Sequence, residues 1–245
     1  MVNSTMQARA VTVTTGVGIL IRYGFYFAGL FIFALVAYGI LAAVRWVPAL
    51  VSEQPAFQIG TSEFASLPAT SEVVAGGAIG RFEARHYGQI YRHDRDLTVI
   101  LVQPPDGRPL ARDFAHEMAA IPILRKARAR LKSVFYDLET RFGPLRAAEM
   151  EVDADGRRKL CLAFLSRFET PYVYLKGWVC EASGAQPSAS SLACLINRMT
   201  FDRPLTSLDA DAFMRRGLSR GSYCQATPVS QTTDTRRHIP RPRRY

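Results

Sequence analysis

Gly217-Leu218-Ser219-Arg220-Gly221 has the spacing of a nucleophile elbow, the turn that presents a serine hydroxyl to an acyl carbon. That chemistry needs a strand before the turn, a helix after it, and an acid and a base further on. Here the preceding residues have helical spacing, and the only later histidine is His238, near the end of the chain. His116-Glu117 begins a zinc-protease pattern, in which two histidines one turn apart grip the metal, but position 120 is Ala. His86 and His93 are an odd number of residues apart on what reads as one strand and its turn, so they face opposite sides. Asp153, Asp155 and Gly156 match the start of a calcium loop, yet Phe164 stands where the closing glutamate belongs. A hairpin turn is the better expectation there. Gly76-Gly77-Ala78-Ile79-Gly80 precedes a strand, whereas a dinucleotide loop follows one. These patterns predict no catalytic, cofactor-binding or metal-ligating residue. An enzyme reading rests only on Ser219, His86 and His116 being brought together by the fold.

The four cysteines, Cys161, Cys180, Cys194 and Cys224, carry more information. They contain no Cys-x-x-Cys pair, and no histidine lies between the first and the last, which disfavours metal and redox chemistry. An even number in an oxidising compartment predicts two disulfides. The preferred pairing is Cys180–Cys194 with Cys161–Cys224. The first would close a short loop between a strand end and the next helix, and the second would tie the late chain back to the sheet. The rival pairing is Cys161–Cys180 across a hairpin.

The compartment follows from the run Tyr23–Val44, which is uncharged and bounded by Arg22 and Arg45. A helix rises ~1.5 Å per residue and the hydrocarbon core is ~30 Å thick, so about 20 apolar residues suffice to span it. Tyr23, Tyr26 and Trp46 sit at the ends, where amphipathic rings favour the headgroups. The apolar run is longer than a signal-peptide core, and no clear Ala-x-Ala follows it, so an uncleaved signal anchor is expected. Arg9, Arg22 and the chain amine outweigh Arg45, placing the N-terminus in the cytoplasm and the rest across the membrane.

The net charge of +10 is unevenly spread. Residues 1–52 carry three arginines and no acid. The end of the chain adds Arg236, Arg237, Arg241, Arg243 and Arg244, again without an acid after position 234. The residues between hold 23 bases against 21 acids, so the domain lacks the basic excess of a nucleic-acid binder.

Residues 49–71 mix Pro55, Gly60 and Pro68 with Ser and Thr and read as a linker. Strands are expected over 79–92, 97–103, 133–139, 146–152, 158–168 and 172–180, with turn residues at most of the joints. In the last strand Val173, Leu175 and Val179 share one face, and Tyr174, Lys176 and Trp178 the other. Helical spacing follows Arg112 through Phe114, Met118 and Ile121. A second stretch, Ile123–Lys132, reads as a helix carrying Arg125, Lys126, Arg128, Arg130 and Lys132, more often a solvated face than a binding face. Leu192, Leu195, Ile196 and Met199 mark a helix starting near Ser188, and Asp209 would cap a last short one.

Tyr136-Asp137-Leu138-Glu139-Thr140-Arg141-Phe142-Gly143, Cys161-Leu162-Ala163-Phe164, Gly177-Trp178-Val179-Cys180 and Leu192-Ala193-Cys194 with Arg198 resemble an uncharacterised group of predicted single-pass inner-membrane proteins from alphaproteobacteria. The resemblance implies a bacterial envelope address and no activity.

The expected fold class is α+β: one N-terminal transmembrane helix, then a disulfide-bonded, mainly antiparallel sheet domain with two or three helices. The expected segments are a cytoplasmic tail (1–16), a signal anchor (17–47), a linker (48–71), a periplasmic domain (72–230) and a disordered basic tail (231–245). The expected role is binding or scaffolding at the inner membrane, without a cofactor. The alternatives are an envelope hydrolase and an accessory subunit of a membrane complex, packed through Gly24, Gly29 and Gly39. Expected partners are the lipid bilayer, another membrane or envelope protein, and anionic headgroups met by the tail, but no nucleic acid.

Overall fold

The computed structural model describes residues 22–42, 49–50, 53–60, 63–76, 80–105, 113–154, 156–221, 224 and 230–233. The chain forms two compact units, Met1–Val47 and Pro48–Tyr245. In the first, α1 (Arg22–Ala42) is long and apolar enough to cross a membrane by length and composition. Its apolar window is 0% buried: Phe25, Phe27, Leu30 and Phe33 all stand exposed. Positions 43 and 44 of the expected span lie outside the described residues, as do residues 1–21.

The second unit is built on strands β1 (Ala49–Leu50), β2 (Phe57–Ile59), β3 (Ala69–Ala75), β4 (Arg81–Tyr87) and β5 (Asp96–Gln103). Two short helices follow, α2 (Phe114–Ala119) and α3 (Pro122–Lys126). Then come β6 (Arg130–Thr140), β7 (Gly143–Ala154), β8 (Arg157–Ser166) and β9 (Tyr174–Cys180). The unit ends with α4 (Ala189–Asn197), β10 (Met199–Phe201), α5 (Leu208–Ser219) and β11 (Ser230–Thr233). A nine-stranded antiparallel sheet runs in the order β1-β3-β4-β5-β9-β8-β7-β6-β11, and β10 pairs with β2 in a small second sheet.

Both faces of the large sheet are covered. On one, Leu97, Val99 and Leu101 of β5, Leu162 and Phe164 of β8, and Leu175 and Val179 of β9 pack against α4, α5 and the β2–β10 pair. On the other, Ile100, Cys161, Ala163, Tyr174 and Trp178 pack against Phe114 and Met118 of α2 and Leu124 of α3. This explains why β8 and β9 are apolar at both parities: each side chain meets a cover, whichever way it points.

Several expectations change. Among the described residues the domain carries four helices, α2 to α5, where two or three were expected, and Ser207 rather than Asp209 caps the last, its hydroxyl accepting the Ala210 N–H. The stretch read as linker belongs to the domain. Phe57 and Phe64 are 0% and 2% exposed, and Phe57–Ile59 pairs with Met199–Phe201 from the far end of the chain. Its Pro and Gly residues mark joints between short segments that tertiary partners hold.

The basic stretch is not one helix. α3 ends at Lys126 in a Schellman cap, with Ala129 N–H on Leu124 O (3.0 Å) and Arg128 N–H on Arg125 O (3.2 Å). The chain then enters β6, where Leu138 is buried and Leu131 and Phe135 pack against the core. Residues 231–233, expected in the disordered tail, belong to a strand instead: Ser230–Thr233 pairs with Val134–Asp137 of β6. Arg236, Arg237, Arg241, Arg243 and Arg244 lie outside the described residues.

The preferred cysteine pairing is overturned in favour of its rival. Cys161 is bonded to Cys180, and Cys194 to Cys224. The reason is register: Cys161 and Cys180 stand directly opposite on β8 and β9, with Cα atoms 4.1 Å apart, and both are fully buried. Cys194 on α4 is thereby left to Cys224.

Candidate functional site

The nucleophile-elbow residues each have a packing role. Gly217 lies in α5 where the ring of Phe142 presses against the helix; an added Cβ would sit 2.4 Å from Phe142 Cδ1. Ser219 donates its hydroxyl back to Arg216 O (2.8 Å). Gly221 ends the helix at φ 79°, the left-handed conformation that favours glycine just past a C-cap. The fold therefore withdraws Ser219 from the geometry of a nucleophile.

The histidines are spread apart. His116 is exposed in α2. His86, on β4, shares a hydrogen bond with Thr98 Oγ1 on β5 (Nδ1 to Oγ1 2.9 Å) and lies beside the Trp178 ring. A histidine next to a hydroxyl suggests nucleophile activation, but Thr98 is 1% exposed and no substrate reaches it. Burial holds the His86 imidazole below its usual range, opposed by Glu72. Asp153 accepts the Gly156 N–H at 3.0 Å in the β7–β8 hairpin turn, as a turn aspartate does.

The sheet interior holds a charged group that the motif search passed over. Asp96 opens β5 at 3% exposed and accepts the Trp178 indole N–H at 2.5 Å. Burial pushes its carboxyl up to about 6, against the pull of Lys159 and of that hydrogen bond. Lys159 on β8 is fully buried. Its ammonium donates to Arg92 O (2.7 Å) and Gln89 O (3.4 Å), fastening the loop before β5. Burial lowers its pKa, opposed by Asp96 and Asp94. One signal was present: Lys159 shares parity with Cys161, Ala163 and Leu165, so an inward lysine needed an inward acid. A second buried acid, Glu83 on β4, accepts from Ala56 N–H (2.5 Å), Arg81 Nε (2.8 Å) and Gln103 Nε2 (3.4 Å). It ties the segment before β2 to the sheet.

A cleft of about 330 Å³ between β9 and the start of α4 gathers polar groups. Arg95 and Glu181 form an ion pair in it at 2.7 Å. Glu63, Ser188 and Ser191 add a carboxylate and two hydroxyls, and Leu192 and Leu195 supply apolar wall. Neither Ser219, His86 nor His116 lines it. Among the described residues no group of three or more His, Cys, Asp or Glu is placed to hold a metal ion.

This site and fold define a disulfide-bonded, two-face-covered antiparallel sheet domain carrying a polar cleft. No family model matches the chain, and neither a curated protein nor a solved structure matches it.

Proposed function

We infer that this is a single-pass protein of the bacterial inner membrane, with its N-terminus in the cytoplasm and its sheet domain in the periplasm, where it binds or scaffolds envelope components. The observation that carries the reading is α1, whose apolar side chains are uncovered on all sides. A soluble protein does not leave such a surface in water. Cysteines that are all paired, and all downstream of that helix, fit an oxidising destination for the domain. The arginines flanking α1 favour N-in insertion. The cleft supports binding through the Arg95–Glu181 ion pair, the Glu63 carboxylate and the Ser188 and Ser191 hydroxyls, which offer polar partners to an envelope component. The Arg-rich tail adds attraction for anionic headgroups, at ~1 kcal/mol per basic residue near the surface.

Topology reporters test this directly. Alkaline phosphatase fused after position 221 is expected to be active, and green fluorescent protein at the same point dark. The membrane fraction should retain the protein through a carbonate wash. A bright fluorescent fusion, or release by carbonate, defeats the reading.

A further inference from the structure

Two segments far apart in sequence bring basic side chains to one end of the sheet. Arg125, Lys126 and Arg128 come from α3 and its cap, Arg130 from the start of β6, and Arg157 and Arg158 from the β7–β8 hairpin. The register joins them. Arg130 is opposite Glu151, Asp153 opposite Arg158, and the Asp153 N–H donates to Ala127 O at 3.2 Å. All of these bases are exposed, and among the described residues none makes an ion pair. Of the described acids at this end, Glu151 pairs with Lys132 at 2.9 Å and Asp153 accepts the Gly156 N–H. Lys132 chiefly holds the Glu151 carboxyl below its usual range, with Arg158 and Arg130 adding to it, so both arginines act at one place.

Arg128 supplies a second observation. Among the described residues it is the non-glycine residue with positive φ, 49°, at the Schellman position where glycine or asparagine is usual. A left-handed L-residue costs stability, so this arginine stands where a glycine would relax the backbone.

We propose that this end of the domain is a docking surface for the anionic phospholipid headgroups of the membrane that α1 crosses. The proposal rests on the anchoring reading above, because attachment to a spanning helix keeps the domain within reach of a bilayer. Six exposed bases against the two described acids Glu151 and Asp153 leave a positive excess that matches phosphodiester headgroups, to which guanidinium binds in bidentate fashion. The surface is distinct from the basic tail.

The test uses the full-length protein in lipid nanodiscs, followed by hydrogen exchange over residues 123–131 and 156–160. Discs with anionic lipid are expected to protect both segments, and purely zwitterionic discs to leave them open. High salt should abolish the protection. Arg157→Gln with Arg158→Gln should shift the docking equilibrium roughly 25-fold, at roughly fivefold per basic residue. Arg128→Gly should weaken docking while leaving Tm equal or higher, which separates loss of charge from loss of fold. Removing residues 235–245 should leave the protection in place. Equal exchange in both lipids overturns the surface and leaves the anchor standing; failure to incorporate into either disc overturns the anchor and the surface with it. Loss of protection on tail removal, or equal protection by a soluble DNA duplex in zwitterionic discs, also overturns it.

Discussion

Asp96 sets a pH dependence that a surface carboxylate would not. Its folded pKa is raised from 3.8 to about 6, so between those values the native state holds a proton that the unfolded chain has lost. The group's contribution is most favourable below pH 4 and declines as pH rises to 6, by up to ~3 kcal/mol at ~1.4 kcal/mol per pH unit. Asp96→Asn keeps an oxygen for the Trp178 indole and removes that decline. Urea unfolding should show the variant level with wild type near pH 4 and more stable by about 1–3 kcal/mol at pH 7, the lower end reflecting Lys159 left without its counter-charge. A constant difference across that range rejects this assignment. Gly217 and Ser219 separate motif from function at the same scale. Gly217→Ala drives a methyl into the Phe142 ring and should cost about 1–3 kcal/mol by chemical denaturation. Ser219→Ala loses only a bond back to its own helix and should change stability by less than about 0.5 kcal/mol.

At the scale of elements, the two disulfides do different work. Cys161–Cys180 staples neighbouring central strands that already pair over residues 161–165 and 176–180. Cys194–Cys224 ties α4 to the segment leading into β11, which forms the outer edge of the sheet on β6. Losing the second pair to alanine should cost ~2–4 kcal/mol by the chain-entropy argument. It should also speed amide exchange in β11, while amide exchange in β8 and β9 stays slow. Uniform loss of protection would show that the edge is not separately held.

Strand positions were largely legible because β5, β8 and β9 alternate or saturate with apolar residues, and their turns carry Gly, Pro and Asp. Ile123–Lys132 misled because the basic residues have no periodicity of their own. The switch from helix to strand is made at Arg128 by a cap, not by a breaker residue.

At the scale of the whole molecule, the chain divides at Val47/Pro48. The second unit has its own core on both sheet faces, so residues 48–245 produced without α1 in an oxidising compartment should fold on their own. Alkylation without reductant should find no free thiol in it, since all four cysteines are bonded. Aggregation of that fragment, with reactive thiols, would mean that α1 is part of the fold. Sequence alone determined the apolar helix, the disulfide-bonded antiparallel sheet and the face each residue of β9 takes. Each follows from a local period, a run length or a composition that needs no distant partner. Tertiary structure alone decided that Cys161 bonds Cys180, that Phe57 and Phe64 belong to the core, that Asp96 and Lys159 share an interior, and that two basic segments meet at one end of the sheet. Each of those depends on which strands neighbour each other and in what register, and register is set by the packing of the whole domain.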